Sequence, residues 1–227
     1  MIRSRVTASL LLLAALAGCH KPSEENAENF GAALNAYLAE RGDLCVGKTE
    51  WPIDVSEREF ELGTRDAKQM PVLERLGLVS SWDTIAERKN EGEVFQLRVK
   101  RYQLTDAGQK YYHQRTIKNA QGEPQPSGDL CAARLSLDKV THWQASTTSG
   151  GHRVAALSYT YHVNAAPWTS DPDIQKVFPA VTRVVQGAEK AELVEGVTLT
   201  DNGWVADDLI GVPPSAKLPG PAQASAR

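Results

Sequence analysis

The sequence predicts an α+β protein of two small, related units whose strands pair as antiparallel hairpins. Three observations predict it. Apolar residues recur at helical spacing between positions 30 and 38. The stretches 94–104 and 153–163 alternate apolar and polar side chains, as half-buried strands do. Short motifs also recur in the same order in the two halves of the chain. With 227 residues, 41% of them hydrophobic, the chain is long enough for one large domain or two small ones. A formal charge of −3 leaves no surplus of basic side chains to neutralise phosphates, so no nucleic-acid partner is expected.

The first 18 residues carry Arg3 and Arg5, then the apolar run Val6–Ala17, then small residues. That is the layout of an export signal, and about a dozen apolar residues fall short of the ~20 that span a bilayer. Leu16-Ala17-Gly18-Cys19 resembles a bacterial lipobox. The resemblance implies cleavage before Cys19, a diacylglyceryl thioether on its sulfur and acylation of the new amine. Several acyl chains make a stable anchor where one would be marginal. Lipoproteins held at the inner membrane usually carry Asp after the cysteine; His20 stands here. By the same resemblance, the expected location is the outer membrane, facing the periplasm. Without its signal the chain keeps 23 basic against 28 acidic side chains.

Residues 19–28 read as a short polar tether. Phe30, Leu34, Tyr37 and Leu38 then mark a helix with one buried face, and Gly42 lies just past its end. A second helix is expected over Thr64–Leu76, kinked or restarted at Pro71. Val94–Leu104 reads as a strand, after which Thr105 or Asp106 caps a short helix carrying Tyr111 and Tyr112. The stretch 119–127 contains Gly122, Pro124 and Pro126 and reads as a linker between a first unit, 26–118, and a second, 128–211. In the second unit, strands Leu135–Trp143 and Arg153–Val163 flank Ser149-Gly150-Gly151, a hairpin signal. Ala155, Leu157, Tyr159, Tyr161 and Val163 share one face of the latter strand. A helix Asp171–Gln186, a strand Ala191–Leu199 and a turn near Asp201 follow. Residues 212–227 are rich in Pro, Ala and Ser and read as a disordered tail.

The case for duplication rests on three ordered matches. Gly42-Asp43-Leu44-Cys45 recurs as Gly128-Asp129-Leu130-Cys131; Lys68–Leu76 matches Lys176–Val184 in pattern; Leu104-Thr105-Asp106-Ala107-Gly108 is echoed by Leu199-Thr200-Asp201-Asn202-Gly203. Chance matches within one mixed domain are the alternative. Cys45 and Cys131 are the two cysteines left once Cys19 is lipidated, and in an oxidising compartment they are expected to pair, two buried free thiols being the alternative. There is no Cys-x-x-Cys, so a thioredoxin-like motif and a zinc ribbon both lack their spacing.

Pro71-Val72-Leu73-Glu74-Arg75-Leu76-Gly77-Leu78-Val79 is similar to the end of a recognition helix in winged-helix proteins. Phe95–Leu104 would then belong to the wing, with Thr105-Asp106-x-Gly108 following it as in that family. The resemblance covers about 40 residues and implies winged-helix-like units. It does not bring DNA binding with it, because Glu87, Glu91 and Glu93 dilute the basic Arg98, Lys100 and Arg101.

Signs of chemistry are few. No Gly-x-Ser-x-Gly, Ser-x-x-Lys, phosphate loop or His-Glu-x-x-His helix occurs, so no catalytic residue, metal ligand or cofactor is assigned. A hairpin about Gly150 would set His162 opposite Asp138 with His142 on the same face, a general-base pair or simply a surface pair. Asp171, Asp173, Asp207 and Asp208 suit helix caps and turns better than a glycosidase pair or a calcium loop. Trp143, Tyr159, Tyr161 and Trp168 are candidate binding aromatics, either a platform for a glycan or peptide or part of the core. The expected function is non-enzymatic binding of an envelope protein partner by a lipid-anchored protein. The alternatives are an inhibitor or immunity lipoprotein against a periplasmic toxin, and a peptidoglycan- or lipid-modifying enzyme.

Overall fold

The computed structural model describes residues 21–90, 92–118, 123–148 and 150–210, and shows a mixed α+β protein with antiparallel sheets. The signal segment, Cys19 and the tail 212–227 lie outside the described residues. Helix α1 (Ala27–Arg41) starts where the Asn26 side chain accepts from Asn29 N–H and buries Phe30, Ala33, Leu34 and Leu38. It ends at Gly42. A Cβ there would lie 2.4 Å from the Leu38 carbonyl oxygen and 2.7 Å from that of Leu135, so only glycine fits. The residues before α1 are not a free tether from position 21 onward. The Trp204 indole donates to the Glu24 carbonyl at 3.1 Å, and Arg153 donates to the Ser23 carbonyl at 3.2 Å.

After α1 come β1 (Asp43–Cys45), β2 (Ile53–Ser56), α2 (Glu57–Leu62), α3 (Arg65–Arg75), β3 (Val79–Asn90), β4 (Glu93–Leu104) and α4 (Asp106–Gln109). Ser56 and Glu59 form a reciprocal capping box on α2, and Thr64 caps α3. Pro71 sits inside α3 without ending it. It removes one backbone donor, but burial of Ala67, Met70 and Leu73 on one face holds the helix through that position. Strands β2, β4 and β3, in that order, form a three-stranded sheet. Of the two expected caps it is Thr105 that holds α4, accepting from Gly108 N–H at 3.1 Å; Tyr111 and Tyr112 fall beyond that short helix.

The second sheet contains β5 (Tyr112–Lys118), β6 (Pro124–Thr147), β7 (Arg153–Ala165), β8 (Leu193–Thr200) and β9 (Gly203–Ala206), together with β1. Its order is β1-β6-β7-β8-β9, with β5 on the leading half of β6. Residues 124–127 of the expected linker are therefore part of strand β6, where Lys118 faces Pro124 and Tyr112 faces Leu130 across the β5–β6 ladder; residues 119–122 lie outside the described residues. Pro124 and Pro126 start that strand, where a missing donor costs least. The expected helix 171–186 is divided into α5 (Pro172–Val177) and α6 (Pro179–Gln186), preceded by a 3₁₀ turn over Pro167–Ser170. Phe178 precedes a proline and takes φ −124°, ψ 59°, outside the helical region. Helix α7 (Asp207–Ile210) closes the described chain.

The cores do not divide at residue 119. One gathers Val55, Met70, Leu73, Val79 and Tyr102 with Trp168, Ile174, Phe178 and Val181. The other packs Phe30, Leu34 and Leu38 against Leu157, Tyr159, Tyr161, Val197 and Trp204. Each core draws on both halves of the sequence, so the expected units 26–118 and 128–211 are interleaved. Nor do the matched segments share a conformation throughout. The 104–108 segment ends a strand and caps a helix, while 199–203 is the β8–β9 turn; α3 is continuous, while its match is broken at Phe178. Asp43–Cys45 and Gly128–Cys131 both lie in strands, but only their cysteines are opposed; Asp43 and Leu44 face Arg134 and Ala133.

Candidate functional site

Strands β3 and β4 pair over their full length, from Val79 opposite Leu104 to Asn90 opposite Glu93. At the base, Val79, Tyr102 and Leu104 are buried beside Met70 and Leu73 of α3. Farther out that cover ends. Opposed residues share a face of the ladder, and residues two apart do as well. One face thus carries Asp83 with Lys100 and Ile85 with Arg98, and the other carries Trp82 with Arg101 and Arg88 with Phe95. Ile85, Val94, Trp82 and Phe95 remain 58%, 56%, 47% and 45% exposed. Among the described residues, six of the eight exposed large apolar side chains lie here and on α2: these four, Phe60 and Leu62.

Between α2 and this hairpin runs an open groove of about 540 Å³, with Phe60 and Glu57 on one side and Ile85, Asp83, Arg98 and Lys100 on the other. The hairpin is fixed to β2 by Asp54. Its carboxylate accepts from Arg101 Nε at 2.6 Å and Nη2 at 2.8 Å, and from Arg88 Nη2 at 3.1 Å. The hydrogen bond from Arg101 lowers the Asp54 pKa against the upward effect of burial, and the charges of Arg101 and Arg88 add to it, so the carboxyl lies below its ordinary value. Two of the three basic residues noted in the sequence, Arg98 and Lys100, line the groove beside Asp83 and across from Glu57. The third, Arg101, is taken up by Asp54. Among the described residues, the outer edge of β3 pairs with no other strand.

A second cluster surrounds the disulfide. Cys45 and Cys131 are bonded across the β1–β6 pair. Asp43 accepts from Arg134 Nη1 at 2.9 Å and lies 3.3 Å from His113 Nδ1. Burial raises the Asp43 pKa, but hydrogen bonds from Arg134 and His113 outweigh it and hold the carboxyl below its usual value. Asp43, His113 and Cys131 bring potential ligand atoms within 4.8 Å of one another. With its sulfur in a disulfide, Cys131 offers a metal no thiolate. The matching aspartate does different work: Asp129 accepts from Lys48 N–H at 2.7 Å and Gly47 N–H at 3.2 Å.

The candidate aromatics do not form a platform. Tyr161 is 1% exposed and donates to the Val184 carbonyl at 3.0 Å; Tyr159 is buried, and burial pushes its hydroxyl pKa up. Trp168 is buried between Tyr111 and Phe178, and Trp143 packs on Phe30 with ring centres 5.4 Å apart. The bulges in β6 place Ser136 opposite His162, which still reaches Asp138 at 3.5 Å and Glu189 at 3.0 Å on the surface. His142 faces Ser158. Asp171 caps α5 and, with Asp173, binds Arg75; Asp207 is buried at the start of α7 and accepts from Thr198 at 2.7 Å. These carboxylates thus sit at helix starts rather than around a common centre. Asp54 and the exposed apolar residues of the hairpin did not stand out in the sequence; Trp82-x-x-Ile85 and Val94-Phe95 next to strand ends were the available signal. Compared with protein-family models, curated proteins and solved structures, the chain finds no match.

Proposed function

We propose that the protein is an envelope lipoprotein that binds a protein partner without enzymatic chemistry, through the β3–β4 hairpin and α2. The carrying observation is the concentration of exposed Phe60, Leu62, Trp82, Ile85, Val94 and Phe95 on this one projection. Ile85 and Val94 lie on one face of the hairpin and Trp82 and Phe95 on the other. Water disfavours apolar surface on both, and a partner that embraces the hairpin and covers it gains the drive for association. The interleaved Asp83, Glu57, Arg98 and Lys100 suit a protein of mixed charge better than phosphates or an anionic lipid surface. The sequence β2–α2–α3–β3–β4 with strand order β2-β4-β3 supports a winged-helix-like reading of this part, with the wing used for protein contact. Anchoring through lipid on Cys19, at the outer membrane facing the periplasm, rests on Leu16-Ala17-Gly18-Cys19 and His20.

The test compares protein crosslinking in intact envelopes between the wild type and an Ile85→Asp, Phe95→Asp double variant with unchanged circular dichroism. One dominant adduct lost in the variant is expected. Adducts that survive the double substitution would place the contact elsewhere.

A further inference from the structure

The Cys45–Cys131 disulfide lies in surroundings that a simple staple between strands does not require. Cys131 is buried but lines an open cleft of about 260 Å³, together with His113, Arg134, Asn164 and Pro167. Cys45 is the more exposed of the pair. Asp43, two residues before Cys45 on the same strand, binds Arg134 at 2.9 Å and lies 3.3 Å from His113. His113 thereby comes within 4.8 Å of Cys131 Sγ, and Arg134, which also donates to the Ala39 carbonyl, lines the same cleft. His113 enters on β5 and Arg134 on β6, so the group is assembled by strand pairing rather than by the Cys-x-x-Cys spacing the sequence lacks.

We propose that this disulfide is an exchange site for an external dithiol, with Cys45 attacked and Cys131 leaving as a thiolate stabilised by His113 and Arg134. In the first step a thiolate of the dithiol bonds to Cys45 Sγ, and the electron pair of the Cys45–Cys131 bond departs on Cys131 Sγ. His113 holds the proton given up by the attacking thiol, forming an imidazolium beside the new thiolate. In the second step the other thiol of the reagent attacks its partner sulfur in the mixed disulfide and releases Cys45. The protein gains two electrons and two protons, and the dithiol becomes a disulfide. Exchange is faster when the leaving thiol is more acidic, which is what a neighbouring cation provides.

The test uses the folded, oxidised protein and dithiothreitol as the dithiol, with free thiols counted by alkylation and mass spectrometry. The expected rate rises in proportion to dithiothreitol and falls roughly tenfold in His113→Ala, following the dependence on leaving-group acidity. Misfolding cannot imitate that slowing, since a loosened variant exposes the disulfide and speeds reduction. With glutathione as a monothiol, the trapped adduct should sit on Cys45. A rate that levels off with dithiothreitol, and so waits on unfolding, overturns the proposal. So does a His113→Ala rate equal to or above the wild type, or an adduct on Cys131.

Discussion

Replacing Asp54 by Asn removes the charge that ties the hairpin to β2 while keeping the side chain's size. The carboxylate is 6% exposed and accepts three hydrogen bonds from two arginines. Hydrogen bonds to charged groups contribute about 1.5–3 kcal/mol each when a buried partner is lost. Arg101 and Arg88 remain 28% and 47% exposed and regain water in the variant, so their three bonds are not additive. The expected total is therefore about 1.5–3 kcal/mol rather than three times that. Urea unfolding gives the assay, with a double-mutant cycle to isolate the contact. Arg101→Met should cost at least about 1 kcal/mol less in the Asp54→Asn background than in the wild type. A loss below about 0.5 kcal/mol, or an Arg101→Met cost equal in both backgrounds, would refute the view that Asp54 fixes the hairpin.

The same carboxylate sets a pH dependence. Its folded pKa lies below the unfolded value of about 3.9, so its contribution is full above that value and lost as pH falls through the folded one. The stability gap between wild type and Asp54→Asn should be constant from about pH 6 to 8 and shrink below about pH 4, whereas a gap unchanged at about pH 3 would contradict the pairing. Replacing Cys45 and Cys131 together by Ser opens a loop of 86 residues and should cost about 4–5 kcal/mol by chain entropy, read as a lower urea midpoint. Trp168→Ala should cost about 3–5 kcal/mol, as core truncation does, while Trp168→Phe costs far less because an aromatic ring still fills the site and the buried indole N–H has no hydrogen-bond partner among the described residues. Equal costs for the two would argue against this packing. Gly108→Ala sets a Cβ 2.0 Å from the Leu78 carbonyl oxygen, and thermal unfolding should occur at a clearly lower temperature.

Much of the local structure was legible. Phe30, Leu34 and Leu38 at helical spacing and the alternating 153–163 strand turned up as a buried helix face and a buried strand face, since period and burial are locally linked. Gly108 stood out in the sequence as the end of Thr105-Asp106-x-Gly108, and the Leu78 carbonyl beside it leaves no room for a Cβ there. What was not legible depends on distant pairing. The prolines at 124 and 126 look the same at the start of a strand as in a linker; only Tyr112–Lys118 as partner decides between them. Tyr159 and Tyr161 were correctly placed on one strand face, but whether that face meets solvent depends on α1, more than a hundred residues earlier. Asp54 has no local signature, because both arginines that bind it arrive on other strands. That the hairpin's apolar residues stay exposed on both faces likewise follows only once α3 is seen to cover the base and not the outer part.

The most direct test of the binding account introduces a photo-crosslinking amino acid singly at Ile85, Phe95 or Phe60, and as a control at exposed Val194 on the other sheet. Irradiation of intact envelopes should give the same single protein partner from all three hairpin and α2 positions, and little from position 194. Equal capture at all four positions, or no capture at the three, would contradict the assignment of this surface as the binding site.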